Sequence, residues 1–457
     1  MCHNGCYRKN SCRKEKMKTP IYDFARAYSE SGTVRMHMPG HKGKSLLGFE
    51  HLDITEITGA DDLYNADGII AESEREASRL FGANTFYSTE GSSLCIRAML
   101  YMVAKYAATR GEKPRILACR NAHKVFIYAT AMLDVEVNWL FADGGSYLSC
   151  TPSAAEIEQY LSNSQTLPTA VYLTSPDYLG NICDVRGISK VCHRFGVLLL
   201  VDNAHGAYTK FLNCSVHPID LGADICCDSA HKTLPALTGC AYLHISHGAP
   251  AFFRENAKPS LSLFGSTSPS YLLLASLDKV NEYIENGYRE RLDALVKQID
   301  GIKKELIENG YSLVGDEPLK FTVDAKQYGY MGTALARLLR EAGIECEFSD
   351  NDFVVAMLTP ESDVLALKDA LLSIPRRSPI TESAPLFVSP TAEISIREAI
   401  FAPSERIPTR DAVGRILANP CLSCPPAVPI VVSGERITED AVAAMLYYGI
   451  EHCDVVI

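Results

Sequence analysis

The sequence predicts an α/β protein: a large domain built on a mostly parallel sheet, followed by a smaller C-terminal α/β domain. Three observations carry that reading. At 457 residues and 50.1 kDa the chain is too long for one small core. Short apolar runs of strand length alternate with helical stretches, the pattern of parallel strands covered on both faces. Polar residues able to do chemistry stand where those runs end, which is where ligands bind in an open parallel sheet.

Taken in order, residues 1–18 form a basic arm in which Arg8, Lys9, Arg13, Lys14, Lys16 and Lys18 crowd a polar stretch. It reads as a flexible solvated arm or as a tail for something anionic. Residues 19–58, rich in Gly, Pro and His, read as an extended N-terminal lead-in. The large domain is expected over 59–314. Helices are predicted at 72–81, 93–108, 125–132, 154–161 and 188–194. Strands are predicted at 115–119, 135–140, 170–174, 197–201, 225–227 and 240–245. A long helical stretch at 271–309, broken near Gly287, closes that domain. Residues 315–457 form the smaller one, with proline-rich joints at 375–379 and 420–429.

Composition narrows the function classes. The chain is 47% hydrophobic and 22% charged, ordinary for a globular protein. A net charge of −11 and a pI near 5.6 give a nucleic-acid partner no electrostatic support. No apolar run approaches membrane-spanning length. No apolar core follows the basic N-terminal residues, so no secretory signal is expected and a cytoplasmic location is. The sixteen cysteines are scattered through apparent core strands, as at Cys226, Cys227 and Cys240, and read as small hydrophobes in a reducing compartment. No metal site is expected. Cys421 and Cys424 make one C-x-x-C without a second pair, Pro39 and Gly40 separate His37 from His41, and Cys2, Cys6 and Cys12 lie in the arm.

Four segments carry the chemistry, three at strand ends and one just ahead of a helix. The run Ala223-Asp-Ile-Cys-Cys-Asp-Ser-Ala-His-Lys232 delivers Ser229, His231 and Lys232 to a strand end. A lysine in apolar surroundings loses preference for its charged form and becomes a nucleophile toward a carbonyl, while Ser229 and His231 can bond a phosphate. A surface lysine following a strand has the same local pattern. The run Val197-Leu-Leu-Leu-Val-Asp-Asn-Ala-His-Gly206 carries Asp202 to a second strand end, with His205 beyond it. A carboxylate there can keep a pyridinium nitrogen protonated, or simply cap a turn. Thirty residues, one crossover unit, separate Asp202 from Lys232, so the two can sit on neighbouring strand ends. Ser88-Thr-Glu-Gly-Ser-Ser93 precedes a helix, and Gly91, Ser92, Ser93 and the free N–H groups make an anion site or an ordinary N-cap. It is not a Walker loop; Gly43-Lys44-Ser45 looks like the end of one, but Met38 stands where the first Gly is required. Cys119-Arg-Asn-Ala-His-Lys124 puts His123 at another strand end, where it can stack on a planar ring or cap a helix.

With these four segments in hand, the chain from Thr19 onward resembles the Orn/Lys/Arg decarboxylases of the aspartate-aminotransferase-like fold, in particular a short bacterial branch without the N-terminal wing domain. The likeness extends to Arg35-Met-His-Met-Pro-Gly-His-Lys42, Gly59-Ala-Asp-Asp-Leu-Tyr64, Ser266-Thr-Ser-Pro-Ser-Tyr-Leu-Leu-Leu-Ala-Ser-Leu-Asp278 and Pro425-Pro-Ala-Val-Pro-Ile-Val-Val-Ser-Gly-Glu435. The resemblance implies pyridoxal 5′-phosphate as cofactor, held as a Schiff base by Lys232. It implies Asp202 at the ring nitrogen, His123 stacked over the ring and His205 near its phenolic oxygen. Gly91, Ser92, Ser93, Ser229 and His231 would hold the phosphate, and Thr267 would reach the phosphate of a neighbouring subunit in a homodimer or larger homo-oligomer. Asp61, Asp62 and Glu435 fall in segments that face the substrate. Departures are Glu90-Gly91-Ser92-Ser93 where the family reads Q-G-T-S, Asn203 in the D-E-A-H-G motif, and Thr-Leu-Pro-Ala-Leu-Thr-Gly239 after Lys232.

The implied activity is decarboxylation of a basic amino acid, arginine before lysine or ornithine, to its amine and CO2, a step of polyamine biosynthesis. A long cationic side chain needs an acidic partner, which Asp61, Asp62 or Glu435 is expected to provide. Alternatives are another reaction on the same fold (an aminotransferase, a β-eliminating lyase or an oxoamine synthase) and a retired family member acting as a binding or regulatory subunit. The H-M-P-G-H segment and the histidine before Lys232 favour the decarboxylases, and retention of Lys232 with Asp202 disfavours a retired subunit.

Overall fold

A computed structural model describes residues 17–141, 146–385, 390–420 and 427–457. Most of the basic arm with Cys2, Cys6 and Cys12, the Cys421–Cys424 pair, and Pro425 and Pro426 of the closing motif lie outside the described residues.

Seven strands form the main sheet: β1 (Asn84–Ser88), β2 (Arg115–Cys119), β3 (Glu136–Leu140), β4 (Ala170–Thr174), β5 (Leu198–Asp202), β6 (Ile225–Asp228) and β7 (Ala241–Ile245). Their spatial order is β1-β7-β6-β5-β4-β2-β3. Neighbours from β3 to β6 are parallel, and β7 alone is reversed, pairing antiparallel with β1 and β6. The sheet is therefore mostly parallel, as expected. Strand β1 is an addition to the expected elements. Its sequence, Asn-Thr-Phe-Tyr-Ser, has only two strongly apolar side chains, and its full register with β7 decides its place.

The strands read as continuous apolar runs because both faces are buried. Side chains alternate: Leu117, Val171, Leu199 and Cys226 face the helices Ala154–Asn163 and Val185–Arg194. Ile116, Tyr172, Leu200 and Cys227 face Gly91–Thr109, Lys124–Leu133 and Ala251–Phe264. The last of these is also an unforeseen element, carrying Pro259 inside a helix, a residue that normally ends one. Every cysteine among the described residues is free, and most fill core positions in this way.

The stretch after residue 270 is two helices, Tyr271–Glu285 and Tyr288–Glu308. The break falls at Gly287, whose φ of +77° suits glycine. A second, antiparallel sheet has the order β10-β11-β9-β8, from β8 (Ser312–Val314), β9 (Lys320–Asp324), β10 (Phe348–Ser349) and β11 (Phe353–Met357). Phe321, Val323 and Val354 of this sheet share a core with Leu335, Leu339, Leu367 and Leu371 and with Ile299 and Leu306 of the preceding helix. A third pair, β12 (Ser404–Pro408) and β13 (His452–Val456), closes the C-terminal part. Among the described residues no helix is long and apolar enough to cross a membrane.

Candidate active site

Five parallel-running strands, β1, β2, β4, β5 and β6, present their carboxyl ends to one side of the main sheet, and a cavity of about 300 Å³ lies there. Its wall contains Gly91, Ser92 and Ser93 after β1, His123 after β2, Asp202 and His205 at and after β5, and Ser229, His231 and Lys232 after β6. Residues from Gly91 to Lys232 thus converge because each lies at or after the end of a strand of one sheet.

Asp202 pairs in register with Cys227, which sets its carboxylate two residues from Ser229 across the sheet. The carboxylate is buried. Tyr172 Oη donates to Oδ2 at 3.2 Å and the Ala204 amide to Oδ1 at 3.2 Å. Burial pushes the Asp202 carboxyl above its ordinary range, and Lys232 opposes that shift. Burial likewise lowers the Lys232 ammonium, with Asp202 and then Glu347 pulling the other way. Lys232 Nζ lies 3.0 Å from His205 Nε2. His205 itself is buried, and its pKa is depressed by that burial and by the lysines near it.

His123 is the N-cap of Lys124–Leu133. Its Nδ1 accepts the Val125 amide at 3.2 Å, so the ring is neutral at Nδ1. Burial and then Lys232 lower its pKa to about 4, keeping an uncharged face toward the cavity.

The helix Gly91–Thr109 begins at the cavity wall. Gly91 has φ +69°, and a Cβ built there meets nothing within 4 Å, so the turn leaves an open cradle at a helix N-terminus. Ser229 Oγ donates to Ser92 Oγ at 2.9 Å, and His231 Nδ1 lies 2.9 Å from the Cys240 carbonyl. Elsewhere in the wall Thr174 Oγ1 and Asn121 Oδ1 are buried without a hydrogen-bond partner. Buried polar atoms normally have one, and a planar polar ligand in the cavity would supply it. A phosphate cradle, a nucleophilic amine, a buried carboxylate and a neutral imidazole in one cavity fit a phosphorylated pyridine aldehyde.

Three of the expected substrate residues are not brought to this cavity in their own chain. The buried Asp61 carboxylate accepts the amides of Asp62, Asp67, Gly68, Ile70 and Ala71, so it anchors the start of Ile69–Phe81. Asp62 accepts from the Tyr64 amide and Asn65 Nδ2 in its own turn. Glu435 is sealed against Arg120 at 2.8 Å and also accepts the Val432 amide. Thr267 is exposed and lies outside the cavity of its own chain.

Three other residues reach the site unforeseen. Glu347, from the turn before β10, lines the cavity and accepts from Tyr178 Oη at 3.0 Å. Tyr178 lines it too, its ring 5.1 Å from that of His205. Lys320 of β9 reaches His205 Nδ1 at 3.3 Å. A lysine set between Leu319 and Phe321 was the available signal for the last of these.

Comparison with known proteins agrees with this geometry. Residues 19–317 match the model of the Orn/Lys/Arg decarboxylase major domain, and residues 388–451 match that of its C-terminal domain. An uncharacterised protein of Bacillus subtilis is 29% identical, covering 93% of each chain. An arginine decarboxylase of Halalkalibacterium halodurans is 29% identical over 93% of this chain and 92% of its own. The crystal structure of the Francisella novicida lysine decarboxylase LdcF superposes with a TM-score of 0.76 at 17% identity, over 97% of this chain and 82% of that one, a likeness of fold.

Proposed function

This chain belongs to the Orn/Lys/Arg decarboxylase family, and on that premise we propose that it converts a basic amino acid, arginine before lysine or ornithine, to its amine and CO2 with pyridoxal 5′-phosphate. The observation that carries the reading is the single cavity joining Lys232, Asp202, His123 and the Gly91 cradle. When bound, the cofactor supplies an electron sink for the pair released as the carboxylate leaves.

The chain's own residues do the rest. Lys232 Nζ would hold the cofactor's aldehyde carbon and would carry a proton to the substrate's Cα. Asp202 would keep a proton on the ring nitrogen, and the Tyr172 and Ala204 hydrogen bonds fix its orientation. His123 would pack on the ring face and His205 would meet the phenolic oxygen, both from the cavity wall. Gly91, Ser92, Ser93, Ser229 and His231 would hold the phosphate through N–H, hydroxyl and imidazole groups. Asp202 and Glu347 are the carboxylates in the cavity wall. With Asp202 assigned to the ring nitrogen, Glu347 takes the cationic end of the substrate, the part first expected of Asp61, Asp62 or Glu435.

We assign Thr267 to the phosphate of a neighbouring subunit, in a homodimer with shared sites. Its turn, exposed at Ser266, Thr267 and Ser268, precedes Tyr271–Glu285, whose Tyr271 and Leu274 pack in their own chain, so the exposed turn and the family likeness support the assignment. Mixing a Lys232→Ala chain with a Thr267→Trp chain should restore part of the activity once subunits exchange. No recovery after confirmed exchange rejects the sharing.

The deciding experiment incubates purified protein with arginine, lysine and ornithine in turn, reads amine and CO2, and traps the cofactor with borohydride. An adduct on Lys232 and release of CO2 from one of the three is expected. An adduct elsewhere, or a keto acid in place of CO2, overturns the reading.

A further inference from the structure

His205 is flanked by two lysines, one on each ring nitrogen. Lys232 Nζ lies 3.0 Å from Nε2, and Lys320 Nζ 3.3 Å from Nδ1. This arrangement restricts the protons. An ammonium only donates, and a neutral imidazole has one N–H and one acceptor nitrogen. Two ammonium groups on one ring would need both nitrogens to accept, which only an imidazolate can do. One of the lysines is therefore an uncharged amine.

The surroundings decide which one. Lys320 is 2% exposed, and its Nζ is 2.8 Å from Glu317 Oε2, an ion pair although not aligned as a hydrogen bond. It also donates to the Asp177 carbonyl at 3.0 Å. A carboxylate and a carbonyl on a buried lysine hold it charged. Lys320 then donates to Nδ1, the His205 proton sits on Nε2, and Nε2–H points its hydrogen at the lone pair of Lys232. Lys232 has Asp202 and Glu347 near it as charges but ion-pairs with neither.

We propose that Lys320 is a positioning residue of this site: through His205 it holds the Lys232 amine in the uncharged, nucleophilic form that attacks an aldehyde. The second sheet thereby acts on the chemistry of the first, since Lys320 begins β9 while His205 and Lys232 follow β5 and β6. The inference rests on the reading of Lys232 as the cofactor lysine. The charged and titratable groups facing Lys232 are Asp202, Glu347, His123, His205, His231, Cys227 and Lys320, from both sheets. Of these, Lys320 alone brings a positive charge held by its own carboxylate.

The test follows adduct formation in the full-length apoprotein. Pyridoxal 5′-phosphate is added from about pH 6 to about pH 10, spanning the histidine and lysine ranges, and the rate of Lys232 modification is read by absorbance and borohydride trapping. Lys320→Met alone would leave Glu317 buried and unpaired, so the main variant is Lys320→Met with Glu317→Leu, beside Lys320→Arg. In the double variant His205 is free to accept the Lys232 proton, so the rate midpoint should rise by about one pH unit or more, while Arg stays nearer the parent. A midpoint unmoved in the double variant overturns the proposal. Nitrogen-15 shifts of His205 in the unsubstituted apoprotein give a second answer independent of any variant's folding: a proton on Nε2 is expected, and one on Nδ1 overturns it. Absence of a Lys232 adduct in the parent protein would instead overturn the reading of the cofactor site.

Discussion

Two buried histidine clusters flank strand β6, and their histidines have partners of opposite charge. On one side His217 and His244 both point Nε2 at Asp228 Oδ2, at 3.0 and 3.2 Å, with all three side chains fully buried. Asn203 Nδ2 donates to the other carboxylate oxygen at 2.7 Å, and Thr85 Oγ1 lies 2.9 Å from His244 Nδ1. On the other side His205 lies between two lysines at the edge of an open cavity. Burial pushes the Asp228 carboxyl up, but the two imidazoles outweigh it and hold it well below its ordinary range. Around Lys232 burial lowers the ammonium's pKa, Asp202 and Glu347 oppose it, and Lys320 adds to the lowering. Burial thus makes a closed structural network where an anion is surrounded by donors, and a reactive one where two lysine side chains share one imidazole at a cavity wall. The Asp228 group also accounts for Asn203, which departs from the family's usual glutamate: its amide completes the carboxylate's hydrogen bonds.

The comparison is broken most directly by removing the centre of each cluster. Lys232→Ala should lower turnover by about 10⁴-fold or more and abolish the borohydride adduct, with little change in the urea midpoint. A variant that keeps measurable trapping and turnover places the chemistry elsewhere. Asp228→Ala should do the reverse. Breaking a buried charged network costs about 3–5 kcal/mol, readable by denaturant unfolding, while folded protein keeps its adduct on Lys232. An Asp228→Ala protein of normal stability that cannot hold the cofactor would move this cluster into the active site.

A smaller effect separates the cavity's two carboxylates. Glu347→Gln should raise KM for the preferred basic amino acid about 10-fold to 100-fold, the size of a lost hydrogen bond to a charged group, with kcat less affected. An equal fall in kcat with KM unchanged would assign Glu347 to the reaction itself.

The smallest expected effect is on stability against pH. Burial lowers the His123 pKa to about 4 in the fold, against about 6.5 in the unfolded chain. Between those values the unfolded chain binds more protons, so stability is full above about pH 6.5 and falls as the pH drops toward about 4. His205 and His244, also depressed, add to that slope. The lowered Asp228 carboxyl acts later, because its contribution is present above about pH 4 and is lost only below it. His123→Asn should flatten the upper part of the curve, and an unchanged slope there would mean that His123 is charged in the fold.

What the sequence by itself determined is local in origin. Five apolar residues running into Asp202, and a buried strand running into Ser229, His231 and Lys232, are strand-end patterns legible within ten residues, and the break at Gly287 is legible from one. The parallel sheet then brings those ends together with little further choice, because neighbouring strands stand in register. What only the tertiary structure decided involves partners far apart in sequence. Glu435 looks like a substrate carboxylate until Arg120, 315 positions away, takes it, and Asp61 until five amides of the following turn and helix claim its oxygens. Lys320 lies 115 positions from His205 and Glu347 169 from Tyr178. A charged side chain's role depends on which opposite charges and donors surround it once water is excluded, and only packing the second sheet against the first supplies that list.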